Sequence, residues 1–193
     1  MIVTENTTDR RELILATALR LFTEHGYFNT TVHDIQKEAN VSIGSIYHHF
    51  GNKESIAKAL FAEIEEAMVN EIHRIMQNTE TAHDRCKAVL KYLFEATEHS
   101  RSAMQYMLYA KHNEFMPDEG PVCTSRPFTL MKQIIIEGMQ KGEIRNLTPE
   151  IVGVNVFGGA IRLICLRVDG VVDKPLPTYL DEFWECACYG IAA

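Results

Sequence analysis

Thr30-Thr31-Val32-His33-Asp34-Ile35-Gln36-Lys37-Glu38-Ala39-Asn40-Val41-Ser42-Ile43-Gly44-Ser45-Ile46-Tyr47-His48-His49-Phe50-Gly51-Asn52-Lys53 reads as two short helices joined by a tight turn, with a third helix starting just after. That is the order of a helix-turn-helix DNA reader. Thr31 is a good N-cap and Asp34 lies three residues on, a capping-box pattern whose carboxylate also favours the positive helix end. Val32, Ile35 and Ala39 share one helical face, while His33, Gln36, Lys37 and Glu38 lie largely off it. Asn40 stops the helix because Asn tolerates the left-handed conformation of a sharp reversal. Ser42 caps the next helix. Ile43, Ile46 and Phe50 turn inward from it, leaving Gly44, Ser45, Tyr47 and His48 largely on the other side, and small residues beside a phenol and an imidazole suit a helix lying against a nucleic-acid groove.

Working outward, Gly26-Tyr27-Phe28-Asn29-Thr30-Thr31, Asp34-Ile35, Ala39-Asn40-Val41-Ser42, Gly44, Ile46-Tyr47-His48-His49-Phe50 and Lys53-Glu54 closely resemble the DNA-binding domain of TetR-type transcriptional repressors. The resemblance covers about the first quarter of the chain. Two positions depart from the family pattern: Asn40 stands where glycine is usual, and Gln36 where a small residue packs against the following helix. A long amide at position 36 is expected to swing outward.

The 193-residue chain is 46% hydrophobic, enough to bury a core as one medium domain or as a small domain joined to a larger one. Periodicity is helical throughout, and Ile134-Ile135-Ile136 sits inside a helical pattern at 128–140, so the fold is expected to be all-α. The division expected is a three-helix DNA-binding domain at 1–54 and a larger helical ligand-binding and dimerisation domain at 55–193. Residues 1–11 carry no charged-then-apolar leader, and the most apolar stretch, 151–166, is interrupted by Asn155 and Arg162; neither secretion nor membrane spanning is expected. Five cysteines without paired C-x-x-C spacing suit a reducing cytoplasm.

Charge argues against a basic DNA-binding patch. The formal net charge is −7, and residues 1–55 hold five Lys or Arg against seven Asp or Glu. Affinity for operator DNA must then come from directed contacts. Helix starts near Thr31, Ser42 and Lys53 aim at phosphates; Tyr47, His48 and Lys53 contact phosphate; Ile43, Gly44 and Ser45 approach base edges.

Beyond the reader, helices are expected at 53–78, 82–99, 102–115, 128–141, 148–168 and 179–191, with a Pro/Gly-rich loop at 116–127. Thr148-Pro149 is a helix start and Gly142 a C-cap. The last two helices carry apolar residues on more than one face, Ile151 to Leu166 in the first and Leu180, Phe183, Trp184, Ala187, Cys188 and Tyr189 in the second. Burial on more than one side follows. A buried core hairpin would satisfy it; the resemblance instead implies a homodimer packed through 149–168 and 178–191 as a four-helix bundle.

Met104, Met107, Leu108, Tyr109, His112, Phe128, Met131, Phe157, Arg162 and Cys165 mix soft apolar, aromatic and a few polar groups, the make-up of a small-molecule pocket. Arg162, embedded in an apolar helix, is the least comfortable as core: it pairs with an acidic neighbour or awaits an anionic ligand group. Enzyme signatures do not accumulate. Glu80-Thr81-Ala82-His83 is a single Glu-x-x-His pair at a helix boundary, no phosphate-binding glycine loop or nucleophile elbow occurs, and no metal or cofactor is expected. Cys186 and Cys188 read as buried packing, and Cys123 as the cysteine to test for thiol reactivity. The sequence therefore predicts a cytoplasmic, homodimeric transcriptional regulator, a repressor released from double-stranded operator DNA by a partly apolar small molecule. The alternative is a helical small-molecule-binding or redox-sensing protein without repressor activity.

Overall fold

The computed structural model of the protein describes residues 10–116 and 120–192. The reading of a leaderless N-terminus falls on residues 1–9 and that of Pro117 on the loop, both outside the described residues. The described chain is helical, with one isolated antiparallel bridge between Ile144 and Ala192 in place of any strand. Its described residues form two compact units: 10–64 with 102–116 and 120–122, and 65–101 with 123–192. Neither coincides with the 1–54 and 55–193 division, because residues 102–116 and 120–122 belong with the N-terminal helices.

In the first unit, α1 (Arg10–His25), α2 (Val32–Glu38), α3 (Ile43–Phe50) and the start of α4 (Lys53–Asn78) share a core. Ile14, Leu15, Ala18, Ile35, Ile46, Ile56 and Ala57 are almost wholly buried. Each large aliphatic residue among them contributes about 1.5–3 kcal/mol relative to exposure. The short helices α6 (Arg101–Tyr109) and α7 (His112–Phe115) add Met104, Tyr106, Met107 and Phe115. Tyr106 is buried with its hydroxyl donating to the Ala57 carbonyl at 3.0 Å, which satisfies the one polar atom that burial would strand.

In the second unit, α5 (Ala82–His99) buries Cys86, Val89, Leu90, Leu93 and Phe94 and packs against α8 (Arg126–Gln140). The two helices come so close at one end that a Cβ on Gly138 would lie 2.5 Å from the Ala82 Cβ and 2.8 Å from Ile144 Cδ1. Helix α8 begins two residues earlier than expected, because Pro127 fits its first turn, where no N–H is needed. The apolar helix over residues 149–168 is not uniform: α9 (Pro149–Gly153) passes through a π-helical turn (Val154–Gly158) into α10 (Gly159–Val168). A 3₁₀ turn (Leu176–Tyr179) then leads into α11 (Leu180–Tyr189). Asn155 interrupts the apolar pattern to donate to the Ala187 carbonyl at 3.0 Å, tying α11 to the π turn. Glu98 accepts two bonds from Arg167, at 2.9 and 2.8 Å, and one from the Leu176 N–H at 3.0 Å, and these donors hold its carboxyl below the usual range.

Candidate nucleic-acid interface

The helix starts at Thr31 and Ser42 and the turn between them are set by local chemistry. At the start of α2 the capping box is complete: the Asp34 N–H donates to Thr31 Oγ1 at 3.1 Å, and the Asp34 carboxylate accepts from the Thr31 N–H at 2.8 Å and from its hydroxyl at 2.6 Å. Those two bonds to Thr31 hold the Asp34 carboxyl below its ordinary pKa. The helix ends as Asn40 was expected to end it, with φ +51°. The Val41 N–H reaches back to the Gln36 carbonyl at 3.2 Å and the Asn40 N–H to that of Lys37 at 3.3 Å, the paired bonds of a Schellman turn.

Gln36 departs from its expected outward swing. Its amide folds over the turn and donates to the Val41 carbonyl at 2.8 Å, so the residue that breaks the family pattern adds a third bond across the turn. Ser42 then caps α3 by accepting from the Ser45 N–H at 3.1 Å. Ile46 and Phe50 are buried and Ile43 is half-buried. Gly44, Tyr47 and His48 are exposed, Tyr47 to 52%, and Ser45 is half-exposed. A Cβ added at Gly44 would meet nothing nearer than Ser42 Oγ at 4.0 Å. The fold itself does not require glycine there, so the missing side chain leaves room for something outside the protein.

Lys53 does more internally than its expected phosphate contact. Its ammonium donates to the carbonyls of Tyr27 and Thr30, each at 2.9 Å, and stands 4.2 Å from the centre of the Tyr27 ring. Burial there lowers its pKa. Among the other cations, Arg11 pairs with Glu63 and Arg20 with Glu24 and Glu38. The clamp on Tyr27 joins residues 26 apart, and helical periodicity carries no signal for such a contact.

The ten candidate ligand residues divide between the units. Met104, Met107 and His112 are buried, Leu108 half-buried and Tyr109 exposed in the first; Met131 and Phe157 are buried and Phe128 and Cys165 half-buried in the second. Arg162 corrects its expectation. It is exposed on α10, not embedded in a core, so no buried charge there calls for an anion. His112 is the buried polar group: its Nε2 lies 3.1 Å from the Tyr106 carbonyl, its Nδ1 has no partner among the described residues, and burial lowers its pKa. Cys186 is exposed rather than packed, Cys123 is exposed, and burial pushes the Cys86 thiol up to about 12. Among the described residues, no three His, Cys, Asp or Glu side chains gather as a metal site.

Known proteins resemble this chain in sequence over the helices of the reader and in overall fold. Residues 14–60 match the family model described as bacterial regulatory proteins, tetR family. The chain is 36% identical over 85 residues to the HTH-type transcriptional regulator HbdR of Aromatoleum sp. (strain CIB), covering 44% of this chain and 37% of that one. It is 24% identical over 169 residues to the fatty acid metabolism regulator protein of Bacillus subtilis (strain 168), covering 86% and 81%. It therefore spans well under half of the first and about four-fifths of the second. The fold matches that of the fatty acid degradation regulator FadR from Bacillus halodurans with a TM-score of 0.82 at 21% identity, over 96% of this chain and 98% of that one. The capped helices and the left-handed Asn40 turn thus lie inside the segment, residues 14–60, that matches the tetR family of bacterial regulatory proteins.

Proposed function

We propose that the protein is a sequence-specific, DNA-binding transcriptional regulator that works in the cytoplasm as a homodimer and is released from its operator by a partly apolar small molecule. The observation that carries the reading is the outer face of α3, where Gly44 leaves open space beside exposed Tyr47 and His48 on a helix fixed by two caps and a bonded turn. On this reading Ile43, Gly44 and Ser45 approach base edges, Tyr47 and His48 meet phosphate, and Thr31 and Ser42 set the helix starts that face the backbone. Lys53 reaches phosphate with the hydrogen not spent on Tyr27 and Thr30.

The dimer reading rests on residues 149–168 and 178–191. Ile151 is 65% exposed, Val154 69% and Tyr189 78%. The most apolar 18-residue window within residues 149–168 has a mean hydropathy of 1.7, enough by length and composition to cross a membrane, and only 28% of that window is buried within the chain. A second copy of the same two helices would cover this surface, whereas a bilayer would have to accept Arg162. Helix α4 is unbroken from Lys53 to Asn78, so a ligand that favours one setting of it alters the spacing of two readers that must sit about 34–36 Å apart on DNA. The name of the Bacillus subtilis relative concerns fatty acid metabolism, which agrees with a ligand of apolar character.

Recovery of bound DNA across the genome of the source cell tests this function. A small set of sites sharing a two-fold symmetric sequence is the expected result. Recovery no greater than that of a Tyr47→Ala, Gly44→Glu variant contradicts it.

A further inference from the structure

The first unit holds a cleft of about 360 Å³ away from the exposed face of α3. Its walls are the end of α1 and the loop before α2 on one side, and α6 and α7 on the other. The walls are built of rings: Tyr27 and Phe115 stack at 3.9 Å with planes 14° apart, and Phe28 stands edge-on to Tyr27 at 5.2 Å and 86°. Phe28 is nevertheless 62% exposed. An exposed aromatic edge beside a concave aromatic wall is the geometry into which a further ring inserts.

The polar groups narrow the chemistry. Lys111 and Glu114 pair with each other at 3.1 Å, so the wall carries one charge of each sign and no net charge to favour an ionic ligand. Gln105 donates to the Thr23 carbonyl at 3.2 Å and Asn29 to that of His25 at 2.9 Å, which leaves the oxygen of each amide as an acceptor. The volume lies at the low end of small-molecule sites, room for one or two rings.

We infer that this cleft binds an uncharged, planar aromatic compound of one or two rings bearing an N–H or O–H donor, its ring layered against Tyr27, Phe28 and Phe115 and its donor bonded to the amide oxygen of Gln105 or Asn29. Such a ligand presses on the loop that sets α2. The Tyr27 carbonyl and ring hold Lys53, and the chain then runs through Thr30, whose hydroxyl donates to the Gly26 carbonyl at 3.0 Å, to the Thr31 cap. That effect on DNA rests on α3 being the reading helix; binding itself does not. Ligand and operator then weaken each other by the same factor.

Indole is the probe, titrated into the full-length protein while the ring signals of Tyr27, Phe28 and Phe115 are followed by NMR. Saturable shifts of all three are expected. Phe28→Ala, at an exposed site that leaves the fold intact by circular dichroism, should weaken indole about 2- to 10-fold, the worth of one aromatic contact. Ala110→Trp should fill the cleft and abolish binding, and indoleacetate should bind at least about tenfold more weakly than indole. Absence of saturable shifts at millimolar indole overturns the proposal, as does binding unchanged in both variants. A second arm measures operator affinity with and without indole. Indole binding with unchanged operator affinity refutes the coupling, while a protein that binds indole and no DNA refutes the reading of α3 alone.

Discussion

Lys53 is clamped to Tyr27 twice, its ammonium 2.9 Å from the carbonyl oxygen and 4.2 Å from the ring centre. The start of α4 is thereby fastened to the loop that precedes α2. Lys53→Met keeps the length of the stem but loses the charged bonds to Tyr27 and Thr30, and should lower stability by about 1–2 kcal/mol. Lys53→Arg should not restore it, since the carbonyls of Tyr27 and Thr30 converge on one ammonium nitrogen and a longer planar fork cannot put a single nitrogen between them. Urea denaturation of the three proteins checks this; a Lys53→Met variant as stable as the parent would show that the clamp contributes nothing.

The α2 cap should respond to acid with a defined sign. Bonds from Thr31 hold the Asp34 carboxyl below its ordinary value of 3.8. Its folded pKa is the lower one, so the stabilisation is complete above the unfolded value and declines as pH falls through and below it. Amide exchange of α2 should therefore quicken from about pH 4 downward relative to that of α1, and in Thr31→Ala the difference should be present already at neutral pH. A pH profile of α2 identical in the two proteins contradicts the capping account.

Gly138 and Gly44 should behave oppositely. At Gly138 a methyl group would press on Ala82 and Ile144, so Gly138→Ala should cost about 1–3 kcal/mol. At Gly44 the space is open and the residue is helical, so Gly44→Ala should leave stability unchanged or raise it by up to about 1 kcal/mol. Thermal denaturation distinguishes them, and a destabilised Gly44→Ala would mean that the fold itself needs the glycine.

The proposed dimer face is best tested at residues that are largely exposed within the chain. Phe183 is a poor choice because its ring lies 5.8 Å from that of Phe94 and 3.3 Å from where a Gly159 Cβ would be, so an Asp there would harm the unit itself. Val154→Glu and Tyr189→Glu alter exposed positions. Both should sediment as folded monomers at micromolar concentration while the parent sediments as a dimer. A monomeric parent, or variants that still dimerise as tightly, would count against this face.

The caps and the Asn40 turn were legible in the sequence because each depends on residues within five positions of one another, and the buried Ile46 and Phe50 of α3 because helical spacing marks them; Ile43 is only half-buried. Gln36 was misjudged since its usual role is packing, whereas here the amide finds the carbonyl of Val41. Arg162 was misplaced because apolar periodicity marks residues that avoid water without saying whether their own chain covers them. The grouping of Gln105 and its neighbours with the N-terminal helices has a similar cause: Gln105 donates to the Thr23 carbonyl across 82 positions, and no local pattern records that. The aromatic cleft likewise joins Tyr27 to Phe115 through the fold alone.

The central claim is that α3 reads DNA through the face around Gly44 and Tyr47. Equilibrium binding of a recovered operator and of a scrambled duplex, at one salt concentration, to the parent, Gly44→Ala and Tyr47→Ala tests it most directly. Tyr47→Ala should weaken both duplexes about equally, and Gly44→Ala should lose about 1–3 kcal/mol of preference for the operator while remaining as stable as the parent. Operator affinity and preference equal to those of the parent in both variants would contradict the claim.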